Sequence, residues 1–201
     1  MPPRPKKPGV RSGRPNDQWG ERAKREGYPA RSVYKLEEID RRTRILRQGQ
    51  SVLDLGAYPG SWSLYAAKKV GGKGRVLGID IQPPRGGFPV NVEQRHADVN
   101  LVTVADLGEF DVVLSDMAPN TIGYRPADQF HSFELFMAAL RVARDVLKPH
   151  GSFVGKIFQG AEFPEAQKAM REVFTTVRII KPDASRQESY ETFLVGLDKK
   201  A

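Results

Sequence analysis

The chain has 201 residues, with 32 Lys and Arg against 24 Asp and Glu, three His, no Cys and 39% hydrophobic residues. That length and composition suit one folded domain with a real core. They exclude disulfides, a thiolate nucleophile and a cysteine-type zinc site, and no run approaches the ~18 consecutive apolar residues of a membrane helix.

The excess charge is uneven. Residues 1–50 hold 14 basic and 6 acidic side chains, whereas residues 51–201 hold 18 of each sign. A neutral body with a basic arm points to a polyanion whose phosphates Lys and Arg neutralise; a solubilising tail is the plainer alternative. Residues 1–20, with five Pro, three Gly and five basic residues, are expected to form a flexible arm, and residues 21–201 a single domain. The first residues carry positive charge but no apolar stretch follows, so a secretory signal is not expected and a cytoplasmic protein is. His96, His131 and His150 are scattered, and no metal site is expected.

In chain order, Val33, Leu36, Ile39 and Leu46 give a helix over residues 32–46. Arg31, Lys35, Glu38 and Arg42 share another face of it. After Gly49 the pattern alternates strand and helix. Strands are predicted over SVLDLG, RVLGID, VEQRHADV, DVVLSD and GSFVGKIF, and helices over SWSLYAAKKV, HSFELFMAALRVARDVL and AQKAMREVF. Two strands, TTVRII and TFLVGL, close the chain. The alternation implies an α/β fold with a mostly parallel seven-stranded sheet and helices on both faces. The last two strands have no helix between them and are read as an antiparallel hairpin.

The sharpest local signal runs from Asp54 to Ser63, DLGAYPGSWS, between a strand and a helix. Gly56 and Gly60 let a ligand approach the backbone, and the helix start offers free N–H groups. The spacing is neither the dinucleotide fingerprint nor a P-loop. Asp80, at the end of the second strand, is placed to accept hydrogen bonds from the hydroxyls of a nucleoside ribose. A tight turn with no ligand is the alternative.

DLGAYPGSWS, together with GGKGRVLGID, HADV, SDMAPN, GSFVGKIFQG and KPDASR, resembles the FtsJ-type ribosomal RNA 2′-O-ribose methyltransferases over about residues 27–197. The loop departs from that family's usual Ala-Pro-Gly-Gly-Trp by carrying Tyr58-Pro59-Gly60-Ser61-Trp62. The resemblance implies a Rossmann-like methyltransferase fold and S-adenosyl-L-methionine as cofactor. Gly60 and Trp62 would contact its methionine part, Asp80 its ribose, and Asp98 its adenine, with Asp116 at the same edge. Taken alone, Trp62 suits a core position and Asp98 an ordinary strand end.

The resemblance also places Lys35, Asp116, Lys156 and Glu191 in the catalytic set. Lys156 stands in an apolar strand, where a buried ammonium is costly and seldom serves packing; it is assigned the proton-accepting role. A lysine accepts a proton only if burial or neighbours tune it from its ordinary pKa near ~10.4. Asp116 would orient Lys156 or the substrate hydroxyl. Lys35 and Glu191 would complete the hydrogen-bonded set; read alone, they suit a solvated helix face and an exposed strand position. Asp116-Met-Ala-Pro119 lacks the second proline and the aromatic residue of enzymes that methylate base amino groups. Without Cys, attack at pyrimidine carbon-6 is excluded.

By the resemblance, the substrate is a uridine in the peptidyl-transferase region of large-subunit ribosomal RNA, met by a monomer within the particle or its precursor. Transfer RNA is the alternative substrate. A non-catalytic RNA-binding protein on the same fold is the alternative class.

Overall fold

The computed structural model describes residues 18–185 and 189–201. In chain order the elements are α1 (Gln18–Arg25), α2 (Val33–Thr43), β1 (Ser51–Leu55), α3 (Ser61–Val70), β2 (Arg75–Asp80) and β3 (Val92–His96). There follow β4 (Phe110–Ser115), α4 (Arg125–Val146), β5 (Leu147–Phe158), α5 (Phe163–Val173), β6 (Phe174–Ile180) and β7 (Glu191–Lys199). One sheet holds all seven strands in the order β3-β2-β1-β4-β5-β7-β6. Six run in one direction, and β7 lies antiparallel between β5 and β6. The closing hairpin is therefore present, with its second strand inserted inward.

The period of two along a strand sends alternate side chains to opposite faces, and the core divides accordingly. Val52, Val76, Leu114, Val154 and Phe193 pack with Leu36 and Ile39 of α2 and Trp62 and Ala66 of α3. Leu53, Leu55, Leu77, Val113, Phe153 and Leu194 pack on the other face with Phe136 and Ala139 of α4 and Met170 of α5. Asp54, Lys156 and Glu191 fall in step with Val52, Val154 and Phe193. Three charged groups thus lie on the α2–α3 face, toward the carboxyl ends of the parallel strands. The strand order reverses between β1 and β4, and a crevice opens at such a switch point.

Several boundaries differ from the sequence reading. The first expected helix stops at Thr43, because Arg44 turns left-handed (φ 54°) and the Asp40 carboxylate accepts the Leu46 N–H at 3.0 Å. β3 ends at His96, and Asp98 instead forms a turn, its carboxylate accepting the Asn100 N–H at 2.8 Å. α4 starts at Arg125, ahead of the apolar stripe, since Pro126 suits a first helical turn. Residues 1–17 of the expected arm lie outside the described residues. Residues 18–20 open α1, where Trp19 packs on Tyr34 with ring centroids 5.2 Å apart.

Candidate active site

The turn after β1 is built by backbone bonds: the N–H groups of Gly56 and Ala57 both donate to the Ile79 carbonyl, at 2.9 and 3.2 Å. Gly56 has φ 75°, and a Cβ there would lie 2.6 Å from the Met117 side chain. A bare backbone is what lets the loops after β1 and β4 close on each other. Asp80 then anchors the turn from the neighbouring strand, its Oδ2 accepting the Tyr58 N–H at 2.9 Å and its Oδ1 the Gln82 N–H at 2.8 Å.

Between these loops lies a cleft of about 390 Å³ lined by Gly56, Tyr58, Asp80, Asp98, Asp116 and Met117, among others. Among the described residues no Lys or Arg lines it. Three carboxylates without a lining cation disfavour a phosphate-bearing ligand and favour a cationic one with hydroxyl and amino donors. Of the residues the sequence singled out, Asp80, Asp98 and Asp116 are brought together here.

Gly60 and Trp62 are placed otherwise. Gly60 (φ 108°) caps the start of α3, and the Phe88 ring occupies the space its Cβ would need, 2.5 Å away. Trp62 is 3% exposed, lies 5.7 Å from Phe193 between ring centroids, and donates its indole N–H to the Ser32 carbonyl at 2.8 Å. Its contacts are with the scaffold that carries α2.

The four residues of the expected catalytic set form two ion pairs. Lys35 of α2 meets Glu191 of β7, Nζ to Oε1 at 2.6 Å, and both side chains are largely buried. The Ser185 hydroxyl also donates to that oxygen at 3.1 Å. Lys156 of β5 donates to the Asp116 carbonyl at 2.6 Å and stands 3.0 Å from Asp116 Oδ1. That carboxylate oxygen is within ion-pair reach but receives no directed hydrogen bond. Asp116 belongs to both the cleft and the pair, so it joins the ligand space to the lysine.

Three features of the site went unassigned in the sequence. Asp54 is fully buried, and its Oδ2 accepts the Ser63 hydroxyl at 2.6 Å while Oδ1 has no partner. Burial, with Asp116 and Asp80 adding repulsion, pushes its carboxyl up to about 7 against the Ser63 bond. Tyr58 reaches the loop after β2, where Nε and Nη2 of Arg85 donate to its phenol oxygen at 2.9 and 2.6 Å and the guanidinium covers its ring. Ser61 accepts the Ala30 N–H at 2.8 Å, fastening the loop to the segment before α2. The two departures in the loop motif mark the last two features; Asp54 gives no signal beyond its place in a buried strand.

A doubly wound sheet of this order, with an acidic switch-point cleft beside two buried lysine–carboxylate pairs, defines the Rossmann-like methyltransferase class. The chain belongs to the FtsJ-like methyltransferase family, which matches residues 28–199. It is 50% identical to the ribosomal RNA large subunit methyltransferase E of Sorangium cellulosum, over 92% of this chain and 89% of that one. The protein of the same name from Bdellovibrio bacteriovorus is 46% identical, over 92% and 98%. Among solved structures, a chain described as a ribosomal RNA methyltransferase of Plasmodium falciparum superposes with a TM-score of 0.75 at 24% identity, covering 86% of this chain and 98% of that one. Aeropyrum pernix fibrillarin, crystallised with S-adenosyl-L-methionine, gives 0.57 at 15%, covering 76% and 68%. At these identities the structural matches speak to the fold.

Proposed function

We propose that the protein methylates a ribose 2′-hydroxyl of large-subunit ribosomal RNA, a uridine in the peptidyl-transferase region, with S-adenosyl-L-methionine as donor. The observation that carries this reading is Asp116, whose side chain lines an acidic cleft while its backbone and carboxylate hold Lys156. The cleft fits the cofactor, because its carboxylates complement a ligand with two cationic centres, ribose hydroxyls and an adenine amino group. Asp80 would accept from the ribose hydroxyls and Asp98 from the adenine amino group. Gly60 and Trp62 would set the loop around the methionine part. When bound, the cofactor supplies a methyl group on a sulfonium, already a good electrophile.

The demand on the protein is therefore to align the alcohol and remove its proton. In this reading Lys156 Nζ, in its neutral form after giving its own proton to solvent, takes the 2′-hydroxyl proton as the oxygen accepts the methyl group; Asp116 orients the hydroxyl and Lys156, and Lys35 with Glu191 holds the nucleotide. The basic segment 1–20 would engage RNA phosphates around a domain spanning 21–201, acting as a cytoplasmic monomer on the particle or its precursor.

The test is methyl transfer from labelled cofactor to unmodified large ribosomal particles, free ribosomal transcript and transfer RNA, followed by mapping of the modified nucleotide. Label in a 2′-O-methyl ribose of the particle is the expected result. Label only in transfer RNA, or none in any RNA, would overturn the reading.

A further inference from the structure

At the rim of the lysine pairs sit two aromatic rings and an arginine that the proposed chemistry does not use. Phe158 ends β5, two residues beyond Lys156, and pairs in register with Glu191. Tyr190 immediately precedes Glu191. The two rings meet edge to face, centroids 4.9 Å apart and planes at 81°. Arg125, the first residue of α4, holds its guanidinium 5.0 Å from the centre of the Tyr190 ring. Arg125 is exposed, and among the described residues no carboxylate pairs with it.

Hydrogen bonds hold the segments that carry the cluster. Tyr190 accepts the Gln159 N–H on its carbonyl at 2.9 Å, and the Gln129 side chain donates to the Gln159 carbonyl. Arg125 follows a loop pinned from below by Asp128, which is 1% exposed and accepts the N–H groups of Ile122 and Gly123 at 2.9 and 3.2 Å. The same loop leaves Ile122 and Tyr124 exposed, at 70% and 64%. A ring beside a guanidinium that has no carboxylate partner among the described residues offers an aromatic surface and a cation together. Unpaired RNA bases stack on such platforms, and the charge is free for a neighbouring phosphate.

We infer that Tyr190, Phe158 and Arg125 form a stacking platform for an unpaired RNA base adjacent to the nucleotide being methylated. The inference rests on the proposed RNA substrate. It adds a contact to the base, whereas the ion pairs address the ribose. Because stacking reads a π-face rather than a base edge, the platform tolerates any base but requires one.

The experiment compares a short fluorescent oligouridine with an abasic ribose–phosphate strand of the same length, both binding the full chain, by anisotropy at several salt concentrations. The two probes carry equal charge, so the affinity ratio isolates the base. Wild-type protein should prefer the base-bearing strand. Tyr190→Ala should cut that preference about tenfold, within the range known for one stacked base, and leave abasic affinity and cofactor affinity unchanged. Tyr190→Phe should keep the preference, since the ring and not the phenol is at work. An Ala variant that keeps the preference, or weakens both strands equally, overturns the platform, as does loss of the preference in the Phe variant. Methyl transfer to ribosomal particles, measured alongside with wild-type protein, tests the substrate reading separately: robust transfer with no Tyr190 effect sinks the platform alone.

Discussion

Asp54 offers the most demanding test of the structure, because a fully buried carboxyl with one unpartnered oxygen should make stability depend on pH. Its ordinary value is 3.8, and the fold raises it to about 7, chiefly by burial. Between those values the folded state keeps a proton that the unfolded chain has released, so stability falls as pH rises. The contribution is fully present below 3.8 and gone above about 7. At ~1.36 kcal/mol per pH unit, the loss across that window is on the order of 4 kcal/mol. Asp54→Asn keeps the shape and an acceptor for the Ser63 hydroxyl but cannot ionise. Urea unfolding of both proteins at pH 5 and pH 8 reads the effect, and the change from one pH to the other is what matters, since other groups titrate alike in both. Wild-type stability should drop between the two values by about 2–3 kcal/mol more than that of the variant. Parallel pH profiles would show that Asp54 is charged in the fold throughout, and that the buried environment described here is wrong.

Asp80→Ala should weaken cofactor binding about tenfold or more, at roughly 1.5–3 kcal/mol for a charge-assisted bond; an unchanged dissociation constant in calorimetry would remove Asp80 from the site. Lys156→Ala should lower the single-turnover methyl-transfer rate at least ~10²-fold while cofactor still binds, and Lys156→Arg should rescue poorly because guanidinium does not readily become a base. Near-normal single-turnover rates in the Arg variant would make Lys156 a positioning cation, a role its bond to the Asp116 carbonyl already allows.

What the sequence made legible was whatever depends on local pattern. Asp80, Asp98 and Asp116 each end or follow a strand, so a parallel sheet had to bring them to one edge, and it does. Lys156 was conspicuous as a charge in an apolar strand. Lys35 and Glu191 were different: each has an ordinary surface reading, and only the fold carries β7 inward beside β5 so that the two meet at 2.6 Å. The family resemblance named them where periodicity had no means to. α1 went unread because half of its eight residues are charged and it buries little beyond Ala23. Asp54 was legible as a motif position but not as a titrating group, since its environment comes from α3 and from two acids at the ends of neighbouring strands.

The cofactor loop does more than face the cleft, because its second half is tied to the helix that carries Lys35. Ser61 and Trp62, the first two residues of α3, hold the Ala30 N–H and the Ser32 carbonyl respectively. Trp62 also packs on Phe193, two residues along β7 from Glu191. The turn after β1 therefore fixes α3, α3 fixes the start of α2, and α2 delivers Lys35 to Glu191. From the other side, Glu38 of α2 accepts the Asp183 N–H at 2.8 Å, which secures the segment bearing Ser185, itself a donor to Glu191. The Lys35–Glu191 pair is thus held from both sides, with α2 common to the two sets of contacts. In this frame Ser61 is an added fastening rather than a defect in the motif: its hydroxyl satisfies a backbone N–H that the local turn leaves open. The loop after β1 and Lys35 are thus joined by a continuous chain of hydrogen-bonded and packed residues.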